Sequence, residues 1–205
     1  MKAEQIARYL SRPSIQHSMK RLAYHEAGHA VGEWLTGFLP ERMELEIGAD
    51  GDWGHTTAGW PQWLRFPDGD TRWWQSQVFS VLAGPSAEAY FGGLVRPRLS
   101  ATDKEAVNRA VAHLYATQSG QRAYLRATRV EVDNLWHAGN NWQAVGLLAN
   151  ELYDRLVDSE GEGYARLFTD EIRDILISTL GMNAGLEETM CEERVFLDAI
   201  PPRPE

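Results

Sequence analysis

His25, Glu26 and His29 fall in the order His-Glu-Ala-Gly-His, an order that can do chemistry if it lies on a helix. A helix turns about 100° per residue, so side chains four apart share one face and the two imidazoles can grip one metal ion. Glu26 sits beside them, placed to take a proton from a water held on that metal rather than to bind the metal itself. Three protein ligands and one water make an open zinc site, so the pattern predicts bound Zn2+, metal-assisted hydrolysis and one more ligand elsewhere in the chain.

The motif needs a helix, and its flanks supply one. Ile15, Met19, Leu22 and Ala23 before it, and Ala30, Val31 and Leu35 after it, form an apolar stripe at helical spacing. Gly37 and then Pro40 end that stripe. Ala27 and Gly28 are small enough to let another element press against the metal-bearing face. A shorter helix is predicted over Ala3 to Leu10, interrupted by Ser11-Arg12-Pro13-Ser14.

Met43 to Ile47 and Trp53 to Trp60 read as two short strands of a small sheet, and Pro61 to Arg72 as a turn-rich loop. Trp73 to Phe91 reads as a long apolar helix stopped by Gly92-Gly93. Thr102 and Glu105 fit a capping box opening the next helix. Further helices are expected near Ala144 to Val157 and Thr169 to Leu180, and a frayed tail ending Pro201-Pro202-Arg203-Pro204-Glu205. The predicted fold is mainly α, with a small β-sheet beside the motif helix. Its predicted organisation is an N-terminal helical extension over 1–15, a metal-binding domain over 16–180 and a tail over 181–205.

The third ligand is not settled by spacing alone. A His-x-x-Gly-x-x-His continuation would need a histidine where Leu35 stands, and Glu44 and Glu46 lie in a strand-like stretch. Glu88, Asp103, His55 and His113 remain. Asp103, at a predicted helix start, also suits the positive end of a helix dipole without any metal. Glu88 could instead hydrogen-bond a ligating imidazole from behind. Trp53, Trp60, Trp63, Trp73 and Trp74 form a candidate aromatic cluster near the cleft.

Three blocks resemble the FtsH-type zinc peptidases. Ala23-Tyr24-His25-Glu26-Ala27-Gly28-His29-Ala30-Val31 is similar to that family's zinc helix. Val81-Leu82-Ala83-Gly84-Pro85-Ser86-Ala87-Glu88 looks like its Leu-(Ala/Gly)-Gly-Arg-Ala-Ala-Glu-Glu helix, with Pro85 where the family carries Arg. Ser100-Ala101-Thr102-Asp103-Lys104-Glu105-Ala106 resembles the segment whose acid is the third zinc ligand, which carries that role to Asp103. Gly54-His55-Thr56-Thr57 looks like the family's substrate-side strand, and Asn150-Glu151-Leu152 through Asp170-Glu171-Ile172 like its final helix pair. The resemblance implies a zinc endopeptidase acting on peptides or unfolded protein chains, and it carries the family's expectation of a homo-oligomer.

This chain departs from the family in having no Gly-Lys pair, hence no phosphate-binding loop of the Gly-x-x-x-x-Gly-Lys type. It reads as the peptidase part alone, ATP-independent or fed by a separate ATPase. Length, 205 residues, suits one domain. The net charge of −9 argues against a nucleic-acid partner. No apolar run of about 18 residues suggests a membrane span, and a lone Cys191 excludes an intramolecular disulfide framework; cytoplasmic is the expected location. Two other readings stay open: a zinc-bearing regulator or adaptor that binds chains without cutting them, and a helical interaction protein.

Overall fold

Two helices separated by Ser11 and Arg12 open the chain, α1 at Ala3–Leu10 and α2 at Pro13–Leu35. The structure is a computed structural model that describes residues 2–48, 51–59, 71–94, 97–159 and 161–181, the side chains of 58, 59 and 72 excepted. Pro13 is well suited to the first turn of α2, where its missing N–H and fixed φ cost nothing. Ile6 and Leu10 of α1 join the main hydrophobic core, and Tyr9 donates its hydroxyl to Asp52 at 3.0 Å. The predicted extension is therefore packed into the body of the protein, and a boundary at 15/16 falls inside α2.

Strands β1 (Leu39–Gly48) and β2 (Gly51–Gly59) form an antiparallel ribbon, with Glu44 opposite His55 and Leu45 opposite Gly54. After it come α3 (Thr71–Phe91), α4 (Ala101–Leu114), α5 (Gln118–Leu135), α6 (Asn141–Asp158), β3 (Tyr164–Phe168) and α7 (Thr169–Leu180). β3 pairs antiparallel with the other edge of β1, giving the sheet order β2-β1-β3. Met43, Leu45 and Ile47 alternate inward along β1, the period of a strand with one buried face. The protein is mainly helical with this small antiparallel sheet.

α2 runs through the middle. It packs most extensively on α3, then on α6 and across the β1-β2 ribbon, so Met19, Ala23, Ala27, Ala30 and Val31 are wholly buried. They share one core with Leu148, Leu152 and Leu156 of α6, Leu167 of β3, and Ile172 and Leu176 of α7. A Cβ on Gly28 would lie 2.7 Å from the Ala83 carbonyl oxygen and 2.7 Å from the Ala87 Cβ. α3 thus presses against the small pair inside the motif.

Two elements were not foreseen, α5 and β3. The α4 cap also differs from expectation: Ser100, not Thr102, is the cap residue, and its partner in the box is Asp103 rather than Glu105. Residues 60–70 and 182–205, which include Trp60, Trp63, most of the expected loop and the expected tail, lie outside the described residues. Among the described residues no helix is long and apolar enough to cross a membrane.

Candidate metal centre

On α2 the helical repeat sets Arg21, His25, His29 and Glu33 in one stripe. The two imidazoles lie edge to face, ring centroids 4.7 Å apart at 77°. Asp103, on the first turn of α4, faces both: its Oδ2 is 3.4 Å from His25 Nε2 and its Oδ1 is 3.6 Å from His29 Nε2. All three side chains are held within the protein, and their ligand atoms lie within 4.8 Å of one another. Tetrahedral zinc, with bonds of about 2.0–2.2 Å, sets its ligand atoms about 3.3 Å apart. The pocket of donors fits such an ion in both chemistry and spacing.

Each ligand candidate is aimed from behind. His25 Nδ1 donates to Glu88 Oε2 at 3.0 Å, and Arg21 donates to the other Glu88 oxygen at 2.6 Å. His29 Nδ1 donates to the backbone carbonyl of Ser80 at 2.9 Å; a carbonyl can only accept, so this fixes the tautomer and leaves Nε2 facing Asp103. Asp103 Oδ2 accepts from the Ser100 hydroxyl at 2.7 Å and the Ser100 N–H at 3.2 Å. Asp103 is thus both the acid of the capping box that Ser100 opens and the third member of the cluster. Gly84 of α3 leaves room for the His29 ring, which would collide with any Cβ there.

Glu26 lines the same cleft and meets β2. Thr56 Oγ1 lies 2.8 Å from Glu26 Oε2 and 3.0 Å from the Glu26 backbone oxygen, and can donate to one of them at a time. A Cβ at position 54 would stand 2.6 Å from Glu26 Oε1, so only glycine lets the strand pass so close to the carboxylate. Burial pushes the Glu26 carboxyl up to about 7, against the pull of His25 and Thr56.

As protein groups alone the cluster divides its charge unevenly. Burial opposes a charged His25, but Asp103, Glu88 and Glu26 outweigh it and raise its pKa to about 10. Burial and the neighbouring His25 lower His29 to about 4. Asp103, despite burial, is held well below the usual carboxylate range by His25, His29 and Ser100. The negative charge of Asp103 and Glu88 is met here by a proton on His25, a role a metal cation could take.

A cleft of about 830 Å³ opens onto these groups, lined by His25, Glu26 and Asp103 together with Gly54, His55 and Thr56 of β2. His55 is exposed on β2 and outside the donor group. His113 is exposed on α4 and stacks on Trp74, centroids 4.0 Å apart. Trp53 and Trp73 line the cleft. Four contributors were missed from sequence: Arg21 and Glu33, which continue the helical spacing of the histidines and could have been found by it; Ser100, hidden by the competing Thr102; and Ser80, which acts through its backbone and leaves no side-chain signal. The chain matches no protein-family model and no curated protein.

Proposed function

We propose that this protein is a zinc-dependent endopeptidase, akin to the proteolytic domain of the FtsH type, that cuts peptides or unfolded chains. The observation that carries the reading is the meeting of Asp103 with the two motif histidines, at 3.4 and 3.6 Å, while Glu26 opens onto the same cleft. The donor set alone would suit other metals as well; the adjacent carboxylate is what favours hydrolysis. His25, His29 and Asp103 would hold the ion, which when bound supplies Lewis acidity and a nucleophilic water at neutral pH.

The remaining work falls to the chain's own residues. Glu26 accepts the proton of the attacking water and returns it to the leaving amine, with Thr56 and Gly54 holding its carboxylate in place. Glu88 and the Ser80 carbonyl keep both imidazoles oriented. β2 is an outer strand of the sheet, and an extended peptide added along it would lie across the cleft and be recognised through its backbone. Any unfolding of folded substrates would fall to an ATPase outside these 205 residues, which contain no Gly-Lys pair with which to build a phosphate-binding loop. A cytoplasmic setting belongs to the same reading and rests on the single cysteine.

The test is Glu26→Gln. Zinc content stays at that of the wild type, and degradation of unfolded casein falls by at least about 100-fold, the scale of a lost general base. Unchanged cleavage would overturn the mechanism. Zinc retained by the wild type with no cleavage of any unfolded substrate would favour a binding or regulatory role.

A further inference from the structure

We propose that the cleft selects a cationic side chain, lysine or arginine, next to the scissile bond, with Glu33 as the residue that recognises it. This rests on the peptidase reading and names its substrate class. Glu33 follows His29 by one helical turn, about 6 Å along the axis, and lines the same cleft. It is 7% exposed, and its Oε2 has no hydrogen-bond partner among the described residues. A buried carboxylate oxygen without a partner is costly, and a protein retains one most readily where a ligand completes it.

The surroundings specify the charge of that ligand. Glu26, Asp52, Glu88 and Asp103 also line the cleft, and among its described residues Arg98 is the sole lysine or arginine. Burial first, then the nearby Glu26 and Glu41, push the Glu33 carboxyl up to about 8. A neutral donor would satisfy Oε2 and leave that repulsion in place, an acidic side chain would add to it, and an ammonium or guanidinium relieves both. Trp53 and Trp73 line the same cleft and offer apolar faces to the long methylene stem of such a side chain.

The experiment uses short acetylated peptides identical except at one position, which carries lysine, norleucine or glutamate in turn and is moved through the sequence. Their affinities are measured on the zinc-loaded Glu26→Gln protein, which should leave them intact. At one position lysine binds about tenfold or more tighter than norleucine, the scale of a charge-assisted hydrogen bond, and glutamate binds weakest. Adding Glu33→Gln brings lysine and norleucine within about twofold; Glu33→Met serves the same purpose should the glutamine variant fail to fold.

Equal affinities at every position, no binding by any peptide, or a lysine preference that both Glu33 variants retain would each overturn the proposal. Cleavage by the protein with Glu26 intact separates this proposal from the one beneath it. Cutting without a lysine preference removes the subsite and leaves the peptidase; a Glu33-dependent lysine preference in binding without any cutting keeps the subsite and removes the peptidase.

Discussion

Glu44 and Glu33 are both buried carboxylates, 5% and 7% exposed, and the protein treats them in opposite ways. Glu44, on β1, accepts hydrogen bonds from the Tyr164 hydroxyl and from Arg166, and the Arg42 guanidinium stands 3.1 Å away. Burial pushes its carboxyl up, but Tyr164 and the two arginines outweigh that and hold it below its ordinary value. Glu33, on α2, has an oxygen without a partner among the described residues, and burial drives its carboxyl up to about 8. The sheet side of the molecule compensates its charge internally and so reads as structure. The cleft side leaves Glu33 Oε2 without such a partner among the described residues and sets Asp103 facing two imidazoles that could share a metal ion with it.

The sharpest way to break that contrast is Asp103→Ala. Zinc affinity, measured by competition with a chelator, falls by more than the ~10–100-fold typical of losing a residue behind a ligand, and casein cleavage is lost with it; full zinc retention would remove Asp103 from the ligand set. Glu88→Ala is next, with a loss within that ~10–100-fold range, because His25 loses the acceptor that orients it.

Glu33→Gln tests the unpartnered carboxyl of the cleft through stability. A carboxyl whose pKa rises from 4.5 unfolded to about 8 folded contributes stability below pH 4.5 and loses it as the pH rises through 8. Thermal melts should therefore show the glutamine variant more stable than the wild type at pH 9, by about 1–3 kcal/mol, the cost of an uncompensated buried polar group, with the difference vanishing near pH 4. Glu44→Ala, in contrast, should destabilise the fold by about 1 kcal/mol, modest because Arg42 and Arg166 are partly exposed and can turn to water, and should leave zinc affinity unchanged. A zinc defect in that variant would erase the division between the two sides.

What could be read from the sequence follows from how each feature is encoded. α2 was legible because its apolar spacing, its small Ala27-Gly28 pair and its stop at Gly37 all agree with one helix. α3 was legible for the same reason. Asp103 was not singled out by periodicity, because it stands on another element far along the chain, and spacing carries no information across such a distance; only the resemblance of its segment pointed to it. Thr102-Glu105 and Ser100-Asp103 both fit a capping pattern, and the structure uses the pair whose acid can also face His25.

α5 left little signal because only Thr128 and Val132 of its helix are buried, too few to draw an apolar stripe. β3 is five residues long, with just Ala165 and Leu167 facing the core, and so short an alternation does not stand out from a loop. Arg21 and Glu33 were legible in principle, since they extend the i, i+4 stripe of the histidines in both directions. Their charges first took on meaning once Glu88 and the cleft were in place around them.

The central claim is that His25, His29 and Asp103 gather one metal ion with Glu26 poised to use it. The most direct measurement is a zinc titration of the metal-stripped protein while cleavage of unfolded casein is followed in the same sample. Cleavage should rise from baseline and level off at about one zinc per chain, the stoichiometry of a single three-ligand site. Cleavage that is indifferent to zinc, or a filled site that supports none, would contradict the account.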